Sequence, residues 1–337
     1  MRNLLKAFIL LFVFYAGIMI FNNFKSFSFE KTDLKSILEK IILCSETINY
    51  WGIKETESHH DNKMYRTKYE TIYIAPYKVW LKYIEPERFS GRQIVLKDRK
   101  FYSKDKNKDK FSIGRGRYPI FDFNIRKENI ELLMKNYNVV FHKNETIANR
   151  KNIVFEVMSK NCKKPHVKVW MDNETGLIMK FEMYFGDEKL FGYWLDDIKI
   201  NPSINTSIFD LVIEDSPKRK SPTPMSYFEI RSIEKEVDFP VIKSKEIAYG
   251  YVFRQGQIVI RERNKVVHLL YTDGLNNISV FVKGLSKDGK EDLDEGEIKI
   301  KSERGRTVIN KRENNVYLSL IGGLEKEDMM KIFFSLK

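Results

Sequence analysis

Few residues in this sequence have the types and spacing that catalysis or metal binding requires. His59 and His60 are adjacent, and neighbours on a strand point to opposite faces, so they do not converge on a metal. Asp196 and Asp197 diverge for the same reason. The Gly-x-Gly of residues 114–117 is too short a signal for a phosphate-binding loop, and no nucleophile elbow, zincin helix, Walker loop or Cys-x-x-Cys pair occurs. The sequence therefore predicts a binding protein with no cofactor and no metal, not an enzyme.

Positive charge is concentrated in one stretch, residues 97–117. The stretch contains nine Lys or Arg against three Asp, a net of +6 out of a total of +13 for the chain. One interpretation is a solvated loop. The other is an electrostatic contact with anionic lipid or an acidic peptide, which weakens as salt rises. The cations of this predicted anionic-contact site are Lys97, Arg99, Lys100, Lys104, Lys106, Lys108, Lys110, Arg115 and Arg117.

The amino-terminal segment indicates export. Arg2 and Lys6 precede an uninterrupted apolar run from Ala7 to Phe21, and Ser26 and Ser28 give a small-x-small pattern. This is typical of a signal peptide over residues 1–28, with an uncleaved membrane anchor as the alternative. The body of the protein is then exported, either released or tethered to the membrane. Nucleic acid drops out as a natural partner, and a membrane surface remains one.

Two cysteines, Cys44 and Cys162, are available to an oxidising compartment. Cys44 falls in a predicted helix and Cys162 just before a predicted strand. Two cysteines without a spacing motif leave both interpretations open, a disulfide or two separate thiols.

One helix followed by many strands is the pattern of the first two thirds of the chain. Leu34, Ile37, Leu38, Ile41 and Ile48 recur at helical spacing. From Lys63 onward the apolar period changes to two, with short turns between the runs, and "ENIELLMKNYNVVF" predicts one helical interruption. Sequential strands joined by short turns predict a strongly curved antiparallel sheet, and the helix must bury its stripe on the concave face.

An unusually apolar strand face raises the question of a ligand site. In "VKVWMDNETGLIMKFEMYF" two strands flank an Asn- and Gly-containing turn, and one face of each strand is apolar throughout. Ordinary core packing is one interpretation, since Met and Phe are common core residues. The other is an apolar groove, because flexible Met side chains accept varied acyl chains. The predicted lining residues are Val79, Leu81, Tyr83, Val169, Met171, Met179, Phe181, Met183 and Tyr193.

A second, smaller α+β domain is predicted after a linker. Residues 214–226 contain three prolines and no apolar period, which is typical of a linker. Beyond them several strands follow, two of them joined at Thr272-Asp273-Gly274, and a closing helix places Met329, Ile332 and Phe333 on one face. The predicted organisation is a signal peptide or anchor at residues 1–28, a curved-sheet domain at 29–213, a linker at 214–226 and a small domain at 227–337.

Several of these stretches resemble a known family. "VWMDNETGLIMKFEMYFGDEKLF" resembles the strand–turn–strand signature of the lipoprotein-carrier superfamily that includes LolA, LolB and MucB/RseB, and "QIVLKDRKFYSKD" resembles its earlier hairpin. "LLYTDGLNNISVFVKG" and the strands after it resemble the small carboxy-terminal domain of MucB/RseB, which LolA and LolB lack. The chain departs from the family in its basic hairpin and in Gly186-Asp187-Glu188, where the pattern has a second glycine.

The resemblance implies an α+β fold, a half-open antiparallel LolA-like β-barrel crossed by a helix, plus a smaller α+β carboxy-terminal domain. It implies a periplasmic regulator of an envelope-stress sigma factor, which binds the periplasmic segment of an anti-sigma factor and senses lipid or lipoprotein through its apolar groove. The alternative is a LolA-like carrier or chaperone for lipoproteins or acyl-chain lipids. The second domain favours the regulator, since a simple carrier has no evident use for it.

Overall fold

The computed structural model describes residues 31–60, 63–98, 100–114, 126–161, 164–214, 226–242, 244–261, 264–285, 293–303 and 306–336. The predicted signal peptide or anchor at 1–28 lies outside these residues, as does the predicted linker apart from its ends. Within the described ranges, no helix has both the length and the apolar character needed to cross a membrane.

The first unit is an eleven-stranded antiparallel sheet that curls into a half-open barrel. Its strand order is β6-β5-β4-β3-β2-β1-β11-β10-β9-β8-β7, so the sheet ends in β6 on one side and β7 on the other. Bulges interrupt the register of several pairs, for example at Ile53/Lys54 and Ile178/Lys180, and a bulge bends a strand and increases its twist. The strands are β1 (Tyr50–His60), β2 (Lys63–Ile74), β3 (Lys78–Glu85), β4 (Gln93–Lys97), β5 (Lys100–Lys104), β6 (Ser112–Ile113), β7 (Tyr137–Ile147), β8 (Arg150–Ser159), β9 (His166–Asp172), β10 (Ile178–Phe185) and β11 (Glu188–Ile200).

Helix α1 (Lys31–Thr47) crosses the concave face of this sheet. Its apolar stripe packs into a cluster with side chains from β7 to β11, and Leu38 at its centre is fully buried. The spacing of the stripe puts all of these side chains on one side of the helix, which explains why the helix docks along the sheet. The predicted half-barrel crossed by a helix is confirmed. The stripe consists of Leu34, Ile37, Leu38 and Ile41, whereas the predicted member Ile48 lies just beyond the end of the helix at Thr47.

The predicted second helix of this unit is shorter than expected. Helix α2 (Ile130–Asn136) ends at Asn136, and the chain continues directly as β7 from Tyr137. The prediction of helix through Phe141 was therefore wrong. The β-branched Val139 and Val140 favour a strand, and cross-strand pairing with β8 decides the outcome.

The second unit is a smaller sheet with helices on one face. The strand order is β12-β14-β15-β16-β19-β18-β17, with β13 paired to β14. Helices α3 (Ile230–Glu234) and α4 (Lys326–Ser335) cover its core, and the predicted face of Met329, Ile332 and Phe333 is buried there. The strands are β12 (Ser226–Tyr227), β13 (Glu246–Ile247), β14 (Tyr251–Arg261), β15 (Asn264–Thr272), β16 (Asn277–Gly284), β17 (Ile298–Glu303), β18 (Arg306–Glu313) and β19 (Val316–Gly322).

Candidate apolar binding site

The turn between β9 and β10 is organised by Asp172. Its carboxylate accepts hydrogen bonds from the Nε and Nη2 atoms of Arg150, both at 2.9 Å, and from the backbone N–H and hydroxyl of Thr175 at 2.9 and 2.6 Å. Burial by itself raises the pKa of Asp172, but the hydrogen bonds from Arg150 and Thr175 outweigh it, so the pKa lies below the ordinary aspartate value. The carboxylate is therefore a fixed anion that holds the turn.

Helix α1 rests on this same turn. The ammonium of Lys40 donates to the carbonyl of Asn173 at 2.5 Å. Gly176 has φ +82°, and a Cβ there would lie 2.8 Å from the carbonyl oxygen of Lys40. The position needs glycine both for its backbone conformation and for the close approach of the helix. The turn from Asp172 to Gly176 therefore supports helix α1, which covers the sheet.

Beneath α1 lies a continuous apolar cluster, here called the barrel cluster. It joins the helix stripe to inward-facing side chains of β7 to β11 and to Leu133 of α2. Phe181 stacks on Tyr193, with ring centroids 5.6 Å apart and planes 18° apart. Its buried members on the sheet are Tyr137, Phe155, Val157, Val167, Val169, Met171, Ile178, Phe181, Phe191 and Tyr193.

The nine predicted lining residues fall into three neighbouring clusters. Five of them, Val169, Met171, Phe181, Met183 and Tyr193, belong to or pack against the barrel cluster. Met179 packs with Tyr50 and Leu195, and the remaining three, Val79, Leu81 and Tyr83, lie together on β3. Seven of the nine are buried, whereas Met183 and Tyr83 are half-buried. The face is therefore largely packed in this conformation, with Met183 and Tyr83 as its more accessible members.

One buried residue of this face escapes strict alternation. Ile178 is 8% exposed and belongs to the barrel cluster, although a period of two counted from Phe181 places it on the other face. A register shift between Ile178 and Lys180 against β9 allows both Ile178 and Met179 to be buried. Bulges depend on pairing with a partner strand, which local periodicity does not report.

Lys54 is a second inward-facing residue that the sequence analysis missed. Its side chain is almost fully buried, and its ammonium lies 3.7 Å from the centroid of the Tyr193 ring. This places a cation against an aromatic ring at the edge of the barrel cluster. The available signal was the alternation of "YWGIKETES", in which Lys54 shares a face with Tyr50 and Gly52.

The predicted anionic-contact residues form a mixed group in the structure. Lys100, Lys106, Lys108 and Lys110 are exposed, whereas Lys97 and Lys104 are half-buried. The half-buried pair has structural contacts: the Lys97 ammonium donates to the carbonyl of Phe209 at 2.6 Å, and Lys104 lies over the Phe111 ring. Arg99, Arg115 and Arg117 lie outside the described residues. The described hairpin therefore presents four exposed lysines to solvent.

The side chains considered for chemistry do not converge. His59 binds Glu57 at 3.0 Å, and Asp196 binds Lys68 at 3.3 Å. In the described part of the chain, no group of three or more His, Cys, Asp or Glu has the geometry to hold a metal.

Cys44 is a free, buried thiol on α1, and Cys162 lies outside the described residues. Burial is the main reason why the pKa of Cys44 is raised to about 12, and the negative charge of Asp172 contributes to the same shift. We expect Cys44 in a Cys162→Ser background to react with an aromatic disulfide reagent about a thousandfold more slowly in the native protein than in urea. Equal rates in both conditions would contradict the burial of this face of α1. The measurement is the absorbance of the released thiolate.

The two units meet at a buried polar group, here called the interface cluster, which consists of Asn136, Tyr137, Lys164, Asp273 and Asn276. The side chains of Lys164 and Asp273 are both 0% exposed, with Nζ and Oδ2 2.7 Å apart. The same Oδ2 accepts from the Tyr137 hydroxyl at 2.7 Å, and Asn276 Nδ2 donates to that hydroxyl at 2.8 Å. Asn136 Nδ2 donates to the carbonyls of Asp273 and Gly250. Nothing in the local sequence pattern pointed to this cluster.

The described residues thus form a half-open barrel that is crossed by a helix, has an apolar inward face and is joined to a smaller sheet unit. Residues 90–194 match the sequence model of the MucB/RseB N-terminal domain. This match includes both hairpins quoted above, and it confirms the resemblance to MucB/RseB.

Solved structures of MucB share the fold along nearly the whole chain. MucB in complex with MucA(peri) is 12% identical, with a TM-score of 0.59 over 90% of this chain and 97% of that one. The MucA/MucB complex of Pseudomonas aeruginosa is 13% identical, with a TM-score of 0.58 over 90% and 98%. MucB alone is 12% identical, with a TM-score of 0.52 over 91% and 98%. No curated protein sequence matches the chain.

Proposed function

We propose that this protein is an exported regulator that holds the exported segment of an anti-sigma factor and responds to lipid. The observation that carries the proposal is the shared two-unit fold with MucB, which has been solved in complex with MucA(peri). A simple carrier needs only the barrel, whereas here a second sheet unit is docked on the barrel through the interface cluster. Both units together supply the surface that a regulator needs.

The apolar inward face is the proposed lipid-sensing site. Met183 and Tyr83 are half-buried at its margin, and flexible or amphipathic side chains suit the entry of an acyl chain. The protein then acts in the periplasm at the membrane surface, with domain limits at 29–213 and 227–337.

The alternative is a LolA-like carrier of lipoproteins or lipids. The apolar inward face favours it, because such a face receives acyl chains in either class of protein. The two proposals differ in the partner, which is one membrane protein for a regulator and many acylated proteins for a carrier.

Affinity capture from solubilised envelopes tests the regulator. With the full chain carrying a carboxy-terminal tag as bait, we expect recovery of one single-span membrane protein, with cross-links from its exported segment to both units. Mass spectrometry identifies the partner and the cross-linked peptides. Recovery of many acylated lipoproteins and no single-span protein would replace the regulator with the carrier.

The basic hairpin is expected to set the salt dependence of that capture. Changing Lys106 and Lys110 to Glu lowers the local charge, and we expect about a tenfold loss of partner affinity at low salt with a flatter salt dependence. The matched control changes Lys143 and Lys151 to Glu at the opposite edge of the same sheet, where both side chains are also exposed. Equal losses from both pairs would mean that overall charge, not the hairpin, attracts the partner.

A further inference from the structure

The turn between β15 and β16 of the second unit reaches into the barrel cluster of the first. Leu275 packs against that cluster, which includes Leu133 and Tyr137. Gly274 has φ +105°, and a Cβ there would lie 2.5 Å from the backbone nitrogen of Leu133. The turn therefore sits in direct contact with helix α2, and only glycine fits at its centre. One end of the apolar cluster is closed by the second unit itself.

Hydrogen bonds of the interface cluster hold the turn in this position. Asp273 is its first residue, and its two carboxylate oxygens are divided between the units. Oδ2 binds Lys164 and Tyr137 of the barrel, while Oδ1 accepts from the backbone N–H groups of Leu275 and Asn276 at 3.1 and 2.8 Å. Withdrawing the turn separates a fully buried ion pair, which is costly unless another ligand compensates.

The barrel cluster is continuous from this turn to the proposed lipid site. Tyr137 and Leu133, which contact the turn, belong to the same cluster as Phe181 and Met171. Met183 pairs with Val167, and the carbonyl of the nearby Pro165 accepts a hydrogen bond from Asn276 of the turn. An apolar ligand that enters at the half-buried Met183 therefore meets Leu275. A close-packed interior has no spare volume for an acyl chain, so the ligand and the Leu275 side chain compete for the same space.

We propose that residues 273–276 form a plug, so that an acyl chain in the barrel and docking of the second unit exclude each other. The plug rests on the proposed function, because the ligand is the one assigned to the apolar face. An acyl chain that displaces Leu275 weakens the docking of the second unit on the barrel. By reciprocity, a partner protein that binds both units lowers the affinity for the acyl chain by the same factor. This connects lipid sensing to partner release through one turn.

The test adds a methyl group to the turn. Gly274→Ala pushes the turn away from Leu133, and Leu275→Ala shortens the plug while leaving the backbone free to fold. Gly296→Ala is the matched control, because Gly296 also has a positive φ of +82° but no described atom lies within 4 Å of its added Cβ. Photoreactive palmitate is titrated against each full-length chain in lipid nanodiscs, and hydrogen exchange is followed for residues 272–277.

Both plug variants are expected to exchange faster at the turn and to bind photoreactive palmitate about tenfold more tightly, because the plugged state no longer competes. New cross-links fall on peptides containing Leu133 and Tyr137, and Gly296→Ala behaves like the wild type. Unchanged palmitate binding in both plug variants overturns the plug, whether or not exchange at the turn accelerates. Cross-links confined to peptides remote from α2 overturn it as well.

The same preparations separate this inference from the proposed function. If the wild-type chain captures its single-span partner while the plug variants bind palmitate as the wild type does, only the plug is wrong. If the wild-type chain captures no such partner, the regulator is wrong whatever the variants do.

Discussion

Lys164→Ala lowers the free energy of unfolding by about 4 kcal/mol, because it leaves the Asp273 carboxylate buried without its ammonium partner. Both side chains are fully buried, and the Lys164 ammonium also donates to the carbonyl of Tyr249 at 3.2 Å and lies over the Tyr251 ring. The variant thus removes the ion pair, the hydrogen bond to Tyr249 and the cation–π contacts with Tyr137 and Tyr251 at the boundary of the units. Urea unfolding followed by tryptophan fluorescence and circular dichroism measures the loss.

Two comparisons identify the cause of that loss. Lys160→Ala is the matched control. Lys160 is exposed, and its ammonium donates to the carbonyls of Met134 and Lys135 at the end of α2. Its expected cost is below about 1 kcal/mol. The double change Lys164→Met with Asp273→Leu removes both charges and recovers part of the stability. A single Lys164→Ala variant as stable as Lys160→Ala would contradict the buried pair.

Asp172→Ala is expected to cost about 3 kcal/mol, because four hydrogen bonds to one buried carboxylate are lost together. Among the described residues, the Arg150 guanidinium then keeps its hydrogen bond to Glu174, and the turn that supports α1 loses its anchor. Glu174→Ala removes an exposed carboxylate from the same guanidinium and is expected to cost less than about 0.5 kcal/mol. Comparable losses in the two variants would mean that Asp172 does not organise the turn.

The same substitution has a defined pH dependence. The pKa of Asp172 is lower in the folded protein than in the unfolded chain, so the unfolded chain binds the proton more readily. The stability that Asp172 contributes is therefore fully present above its unfolded pKa and is lost as pH falls through its folded pKa. The difference in the free energy of unfolding between the wild type and Asp172→Ala should be constant near neutral pH and should shrink in acid. A gap that widens in acid would contradict the sign of the shift.

Much of the fold follows from the sequence because its signals are local. A period of two marked the strands, a helical stripe marked α1, and Asp172 to Gly176 marked the turn that joins β9 to β10. One helix before a run of antiparallel strands has few ways to bury its stripe, so the half-barrel could be predicted. The helix predicted through Phe141 failed where strand pairing overrode a local pattern.

The candidate site was determined only in part by the sequence. Alternation identified apolar side chains such as Phe181 and Tyr193, but the bulge that buries Ile178 beside Met179 depends on pairing with β9. Whether such a face is an open groove or a packed cluster depends on what covers it. In this protein, helix α1 and the turn that contains Leu275 cover the face.

By itself, the sequence determined the order of elements, the apolar inward face and the resemblance to MucB/RseB. Tertiary structure alone decided that Lys164 and Asp273, 109 residues apart, meet as a buried pair and that the second unit closes one end of the barrel cluster. Periodicity and turn chemistry act over a few residues, whereas contacts between distant segments depend on how two curved sheets fit together.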